Sequence, residues 1–239
     1  MAEFNNSIRL SPADLKKFTD QGYLIFPEFL SPEHSKSLIA EVDLLMLNRS
    51  HNDQRLVVGY KELGLLTSHP PMMNHLNDLL GPSFMMHHIH AARHDEGMKG
   101  VVWHQDYEQY PQTNRSHMMV HVFYYPNGLN GEIGDLLVLP GSQNVLVQGY
   151  LPMLGTENLP GCICIDSLQA GSAVVVHSGL WHARRPQPGG ESRPRHFIDI
   201  SYCEHGILWP AYREYSTTEL INAEALELEL HRNGRYTHL

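Results

Sequence analysis

Val101-Val102-Trp103-His104-Gln105-Asp106 is the stretch on which the reading of this chain turns. Three apolar residues, two of them β-branched, read as the end of a buried strand. Side chains alternate along a strand, so His104 and Asp106 share a face. An imidazole and a carboxylate aimed at one point are two of the three ligands of a 2-His-1-carboxylate metal site, which grips its ion from one side and leaves the opposite positions open. The stretch therefore predicts a β fold that brings a second, distant His to the same place.

Outward from there, the size of the chain sets the frame. Its 239 residues, 42% of them hydrophobic, suit one large domain, since β-barrels of roughly 200–250 residues are common. Lys and Arg number 17 against 26 Asp and Glu, a formal net charge of -9, which argues against nucleic acid and anionic membranes as partners and leaves a small molecule. Three cysteines, Cys162, Cys164 and Cys203, without a charged-then-apolar N-terminal signal, point to a reducing, cytoplasmic location rather than a disulfide framework. No apolar run reaches the roughly 18 residues a membrane span needs. The oligomeric state is left open. Seventeen His make any single one poor grounds for a site.

The flanks are helical. Ser11-Pro12-Ala13-Asp14 starts a helix that Gly22 ends, Tyr23 to Phe26 reads as a strand, and Ser31-Pro32-Glu33 starts a second helix with Leu38, Val42, Leu45 and Met46 on one face. Asn48 to Gln54 reads as a loop, and Pro70-Pro71 opens a third helix closed by Gly81. Seven short strands follow, at Phe84 to Ala92, Gly100 to Trp103, Met118 to Tyr125, Asp135 to Leu139, Cys162 to Ile165, Ser172 to His177 and His196 to Tyr202. Many short strands separated by Gly, Pro, Asn and Ser indicate a sandwich or barrel. Gln143 to Gly161 is a long connection of the kind that lines a site, and the capping box Ser216-Thr217-Thr218-Glu219 opens a last helix. The expected organisation is a single domain over 1–239, mostly β with flanking helices at about 11–81 and 216–234 and a β core at about 84–203.

A His-x-Asp triplet alone carries little, because roughly one arises by chance in this composition. His51-Asn52-Asp53 has the same spacing but lies in a polar loop with no strand to aim it, and His94-Asp95-Glu96 sits in a turn region. In His87-His88-Ile89-His90 adjacent imidazoles face opposite ways, with no Cys or carboxylate near on the same face, so a separate zinc site is not expected there. The best second His follows the strand Ala173 to His177 and the turn Ser178-Gly179: His182, with His177 read as a core or supporting residue. Arg193 and Arg195 lie downstream, and a guanidinium near the ion suits a dicarboxylate, which it grips through two parallel hydrogen bonds.

The combined pattern resembles the phytanoyl-CoA dioxygenase family of Fe(II)/2-oxoglutarate oxygenases. The likeness runs through Phe18-Thr19-Asp20-Gln21-Gly22-Tyr23-Leu24-Ile25-Phe26-Pro27-Glu28-Phe29-Leu30-Ser31, Trp103-His104-Gln105-Asp106, Leu139-Pro140-Gly141-Ser142-Gln143 and His182 with Arg193 eleven positions on. It implies a double-stranded β-helix, a jelly-roll, cupin-like core. It also implies that His104, Asp106 and His182 bind Fe(II) and that Arg193 anchors the far carboxylate of 2-oxoglutarate, with Arg195 the rival on the same side of the strand. Arg93 falls where the family often has a Lys near the cofactor. The chain departs from the pattern at three places. Gln143 replaces a structural His, Ile133 stands before Gly134 where Asn is usual, and Arg184 stands two after His182 where a small residue contacts the co-substrate.

The resemblance implies oxidative decarboxylation of 2-oxoglutarate to succinate with O2, coupled to oxidation of an unactivated C–H bond in a small metabolite. Hydroxylation is the first expectation because Asp106 fills the position that related halogenases leave to chloride; desaturation, epimerisation and ring formation use the same iron. The competing reading is a cupin-type metal-binding β-barrel, an isomerase or ligand-binding protein without 2-oxoglutarate turnover, which has no use for an Arg at that spacing.

Overall fold

The computed structural model describes residues 9–47, 54–106, 118–144, 152–186 and 193–204. The helix expected at 216–234, the loop pair His51 and Asp53, and Tyr107, Glu108 and Arg115 lie outside the described residues.

Helix α1 (Pro12–Gln21) begins as its sequence predicts. The Ser11 hydroxyl accepts from Asp14 N at 3.2 Å, the Asp14 carboxylate accepts from Ser11 N at 3.1 Å, and Gly22 closes the helix at φ 82°. Strand β1 (Tyr23–Phe26), helix α2 (Pro32–Leu47) and the later helix α5 (Pro70–Leu80) also fall where expected. Between them stand α3 (Gln54–Gly59) and α4 (Lys61–Leu66), which the sequence reading did not assign. Six residues are too few to show a helical period, and the start of α4 is capped from a distance. The Glu41 carboxylate of α2 accepts from Glu62 N and Leu63 N at 2.9 Å.

The strands are β2 (Phe84–His94), β3 (Val101–His104), β4 (Met119–Tyr125), β5 (Leu129–Asn130), β6 (Leu136–Val138), β7 (Ile163–Ile165), β8 (Ser167–Leu168), β9 (Ser172–His177), β10 (His182–Arg184) and β11 (Arg195–Glu204). Sequence reasoning missed β5, β8 and β10, each too short to alternate visibly. The pairing is antiparallel throughout, in a five-stranded sheet β1-β9-β4-β11-β2 and a four-stranded sheet β3-β10-β6-β7, with β5 and β8 paired alone. β1 is therefore hydrogen-bonded into the β core rather than being part of a helical flank, which corrects the expected partition at residue 81.

Alternation decides what each face of the large sheet does. Ile198, Ile200 and Tyr202 of β11, Val120, Val122 and Tyr124 of β4 and Val175 of β9 pack with Leu38, Val42, Leu63 and Leu76 of the helices in one apolar cluster. The residues between them, Arg195, Phe197 and Asp199 on β11 and His121, Phe123 and Tyr125 on β4, face the other way, toward the small sheet. One β-bulge adjusts this pattern. Ser201 pairs with His88 but Tyr202 pairs with Met86, so His87 is the extra residue. Met86 points at the helices while His88, two residues on, joins the inner face.

Candidate metal centre

The site sits in a cavity of about 290 Å³ between the two sheets. Its small-sheet wall is built by β3 and β10, where His182 and His104 are direct cross-strand partners with ring centroids 4.3 Å apart. Asp106 follows two residues after His104. Its Oδ1 lies 3.4 Å from His104 Nε2 and its Oδ2 lies 3.3 Å from His182 Nε2. One ligand atom from each of the three residues lies within 4.8 Å of the others, so the three groups named from sequence are brought together.

Neighbouring groups fix these side chains. Trp103, wholly buried, donates from Nε1 to Glu157 O at 2.8 Å, and Gln105 donates from Nε2 to Gly179 O at 2.6 Å, so the chain on both sides of His104 is tied down. The Ser142 hydroxyl accepts from Trp181 N at 2.8 Å and holds the start of β10. Gln143, in place of the expected His, donates from Nε2 to Thr19 O at 2.9 Å, a structural tie between that turn and α1. Ile133 is fully buried in the apolar cluster with Phe123 and Tyr125, so this chain uses that position for core packing. His177 accepts from Gly179 N at 2.9 Å and lies outside the cavity lining, in keeping with a supporting role.

The imidazoles are prepared as ligands. His104 Nδ1 faces Val102 O at 2.7 Å and His182 Nδ1 faces Leu180 O at 3.0 Å; a proton donated at Nδ1 leaves both Nε2 lone pairs pointing at Asp106. Burial lowers the pKa of His182 to about 4 against the pull of Asp106, so it is neutral at neutral pH. For His104 burial acts the same way but the Asp106 carboxylate outweighs it, and its pKa rises. Burial opposes the charge on Asp106, yet the surrounding imidazoles prevail and hold it well below the usual carboxylate range. Asp106 Oδ2 is buried without a hydrogen-bond partner, a free acceptor between imidazole nitrogens. Two imidazole nitrogens and one anionic oxygen, with one oxygen unsatisfied, fit a divalent ion of the iron type.

The cationic residues divide differently from the sequence expectation. Arg193 precedes β11, is exposed, and donates from Nη2 to Asn127 O, outside the cavity. Arg93 is also outside, paired with Asp95 at 2.7 Å and Asp43 at 3.2 Å. Arg195, the rival at the start of β11, faces the cavity. It is 2% exposed and lines the cavity, its guanidinium 4.6 Å from the Phe197 ring centroid and 5.2 Å from that of Tyr125. Alternation back from Phe197 and Asp199 puts Arg195, the rival that the sequence also offers, on the inner face. Arg184 lines the cavity as well, donating from Nη2 to Lys99 O at 2.8 Å while Nη1 is buried without a partner. Burial, with Arg195 close by, lowers its pKa to about 10, so it remains a cation. His94 stands beside Arg195 at 3.1 Å, and burial next to the two guanidiniums keeps it neutral, its pKa near 2.

A second cluster occupies the large-sheet wall of the same cavity. His88, His121 and Asp199, all buried, also offer ligand atoms within 4.8 Å of one another. The sequence reading found no carboxylate on the face of the His87–His90 run because the partner comes from β11, over a hundred residues away.

No protein-family profile matches the sequence, and no curated protein does. Solved structures do match. HygX from Streptomyces hygroscopicus with nickel and 2-oxoglutarate bound is 13% identical at a TM-score of 0.70, covering 87% of this chain and 91% of that one. The non-haem α-ketoglutarate-dependent carbocyclase SnoK from nogalamycin biosynthesis is 15% identical at 0.67, covering 82% and 84%. The epimerase SnoN in complex with Fe3+, α-ketoglutarate and nogalamycin RO is 16% identical at 0.66, covering 86% and 93%. At these identities the likeness is one of fold: the chain has the double-stranded β-helix architecture of the non-haem iron, 2-oxoglutarate-dependent enzymes.

Proposed function

We propose that the chain is a single-domain Fe(II)/2-oxoglutarate-dependent oxygenase of the phytanoyl-CoA dioxygenase type, acting on a small metabolite. The observation that carries this reading is the convergence of two buried histidines and the half-buried Asp106, with the two histidine Nδ1 atoms committed to backbone carbonyls, in one cavity with a buried Arg. His104, Asp106 and His182 hold the ion. Arg195 takes the far carboxylate of 2-oxoglutarate, and Arg184, whose Nη1 has a donor to spare, lies beside it. When bound, iron and 2-oxoglutarate supply an oxidant for C–H bonds at the expense of O2, with succinate and CO2 as the other products.

The residues then do the rest. Phe123, Tyr125 and Phe197 form the apolar wall around Arg195, which excludes water and strengthens its pairing with an anion. Asp106 fills the carboxylate position, so hydroxylation is the expected outcome. A cavity of about 290 Å³ suits a compact substrate or the reacting end of a larger one. The three cysteines are free, in keeping with a reducing compartment.

The test is to add Fe(II) and 2-oxoglutarate without oxygen and record the visible charge-transfer band of the chelate. The band is expected in wild type and absent in Asp106→Ala and His182→Ala. No band in wild type, or an undiminished band in both variants, overturns the reading. Screening metabolites for stimulated succinate release then identifies the substrate.

A further inference from the structure

We propose that His88, His121 and Asp199 form a second divalent-cation site, so that this cavity holds two metal ions rather than one. The three side chains come from three neighbouring strands, β2, β4 and β11. Ser201 of β11 is the cross-strand partner of both His88 and His121, and Asp199 lies two residues along on the same face. His88 lies in unbroken alternation with His90 and His94, which line the same cavity, and the bulge at His87 begins just before it.

The distances are those of a ligand set. His121 Nδ1 lies 3.0 and 3.1 Å from the two Asp199 oxygens, and His88 Nε2 lies 3.6 Å from Asp199 Oδ2. Donors on one ion with bonds of about 2.0–2.2 Å stand about 3 to 4 Å apart. The spacings at His104, Asp106 and His182, 3.3 and 3.4 Å, belong to the same range. His88 also presents Nε2 to Asp199: its Nδ1 lies on the other side of the ring, 2.7 Å from the Ser201 hydroxyl and 3.0 Å from His87 Nδ1.

Chemistry supports a cation here. Asp199 is 8% exposed, and among the described residues it pairs with no Lys or Arg but only with the imidazoles of His88 and His121, so its charge is balanced either by a cation they share or by a proton on His121. Two imidazoles and one carboxylate select a borderline first-row ion, Zn, Fe, Mn or Co, over Mg or Ca. Asp106 Oδ2 is 3.7 Å from His121 Nδ1 and 3.3 Å from His182 Nε2, which puts a buried acceptor without a hydrogen-bond partner between the clusters, where a bridging carboxylate would stand. The alternative to a second ion is a proton on His121 shared with Asp199.

Titration of the chelator-treated full chain with Co(II) separates these. Two equivalents are expected in wild type, by visible absorption and by metal content after desalting. Asp199→Asn and His88→Gln are each expected to bind one equivalent, and so is His182→Ala, which keeps the second site. Circular dichroism checks each fold, and should Asp199→Asn fail to fold, His88→Gln decides. One equivalent in wild type, with the anaerobic 2-oxoglutarate band intact, means a shared proton and overturns the second site while leaving the iron reading standing. Two equivalents retained in both Asp199→Asn and His88→Gln also overturn it.

Discussion

His104 and His182 are cross-strand partners on β3 and β10, with their rings 4.3 Å apart, although 78 positions separate them in the chain. Strand pairing, rather than any local motif, makes them co-ligands. Their backbone register is set by ladder hydrogen bonds, so the ligand geometry exists before a metal arrives. Removing one ligand therefore leaves the others in place. His182→Ala is expected to weaken Fe(II) by at least on the order of 100-fold, with little change in secondary structure. Equilibrium dialysis and circular dichroism check both halves.

Arg195 and Arg193 make opposite predictions. Burial of the Arg195 guanidinium among Tyr125, Phe197 and His94 would shield its pairing with a bound carboxylate from water. Truncating one member of a buried charge pair costs about 2–5 kcal/mol. Arg195→Ala should weaken 2-oxoglutarate by on the order of 100-fold or more and leave Fe(II) affinity within a few-fold. Arg193→Ala removes an exposed contact to Asn127 O and should change neither by more than about 2-fold. Titration of the anaerobic charge-transfer band measures both, and the reverse ranking would return the anchor to Arg193.

Much of this architecture could be read from the chain. The capped helices announced themselves because Ser11 and Gly22 carry local signals, and all seven expected strands lie within one or two residues of where alternation put them. The spacing of His104 and Asp106 is local too. What escaped depends on partners far away in sequence. β10 has three residues and exists because β3 and β6 flank it, the start of α4 is capped by Glu41, and Asp199 meets His88 only through pairing across β11. The choice between Arg193 and Arg195 shows the same limit, since only alternation counted back along β11 from Phe197 and Asp199 puts Arg195 on the cavity side.

Ile133 tests whether a departure from the family pattern is a packing choice. The side chain is fully buried against Phe123, Tyr125 and other apolar groups, next to Gly134 at φ 89°. Ile133→Asn would restore the usual residue but bury an amide where an alkyl group now packs. The expected cost is about 3 kcal/mol, from lost apolar burial and unmet hydrogen bonding. Denaturant melts read it directly, and a neutral result would mean that the turn gains as much from Asn as the core loses.

His177 should make the protein acid-sensitive well above the range in which carboxylates titrate. Burial, with His121 adding to it, lowers its folded pKa to about 4 from an ordinary value near 6.5. Its Nδ1 accepts from Gly179 N, a bond that requires the unprotonated nitrogen. Between pH 4 and 6.5 the unfolded chain takes up a proton there and the native state does not. Stability from this residue is therefore complete above pH 6.5 and declines as pH falls toward 4, by up to about 3 kcal/mol. His69, half-buried and with its pKa also near 4, acts in the same direction. A bound cation at His121 would lower the His177 pKa further, so the sign holds with or without metal. His177→Gln keeps an acceptor for Gly179 N and cannot titrate, so its stability should fall less steeply over that window; parallel curves for variant and wild type would show that His177 is protonated in the native state.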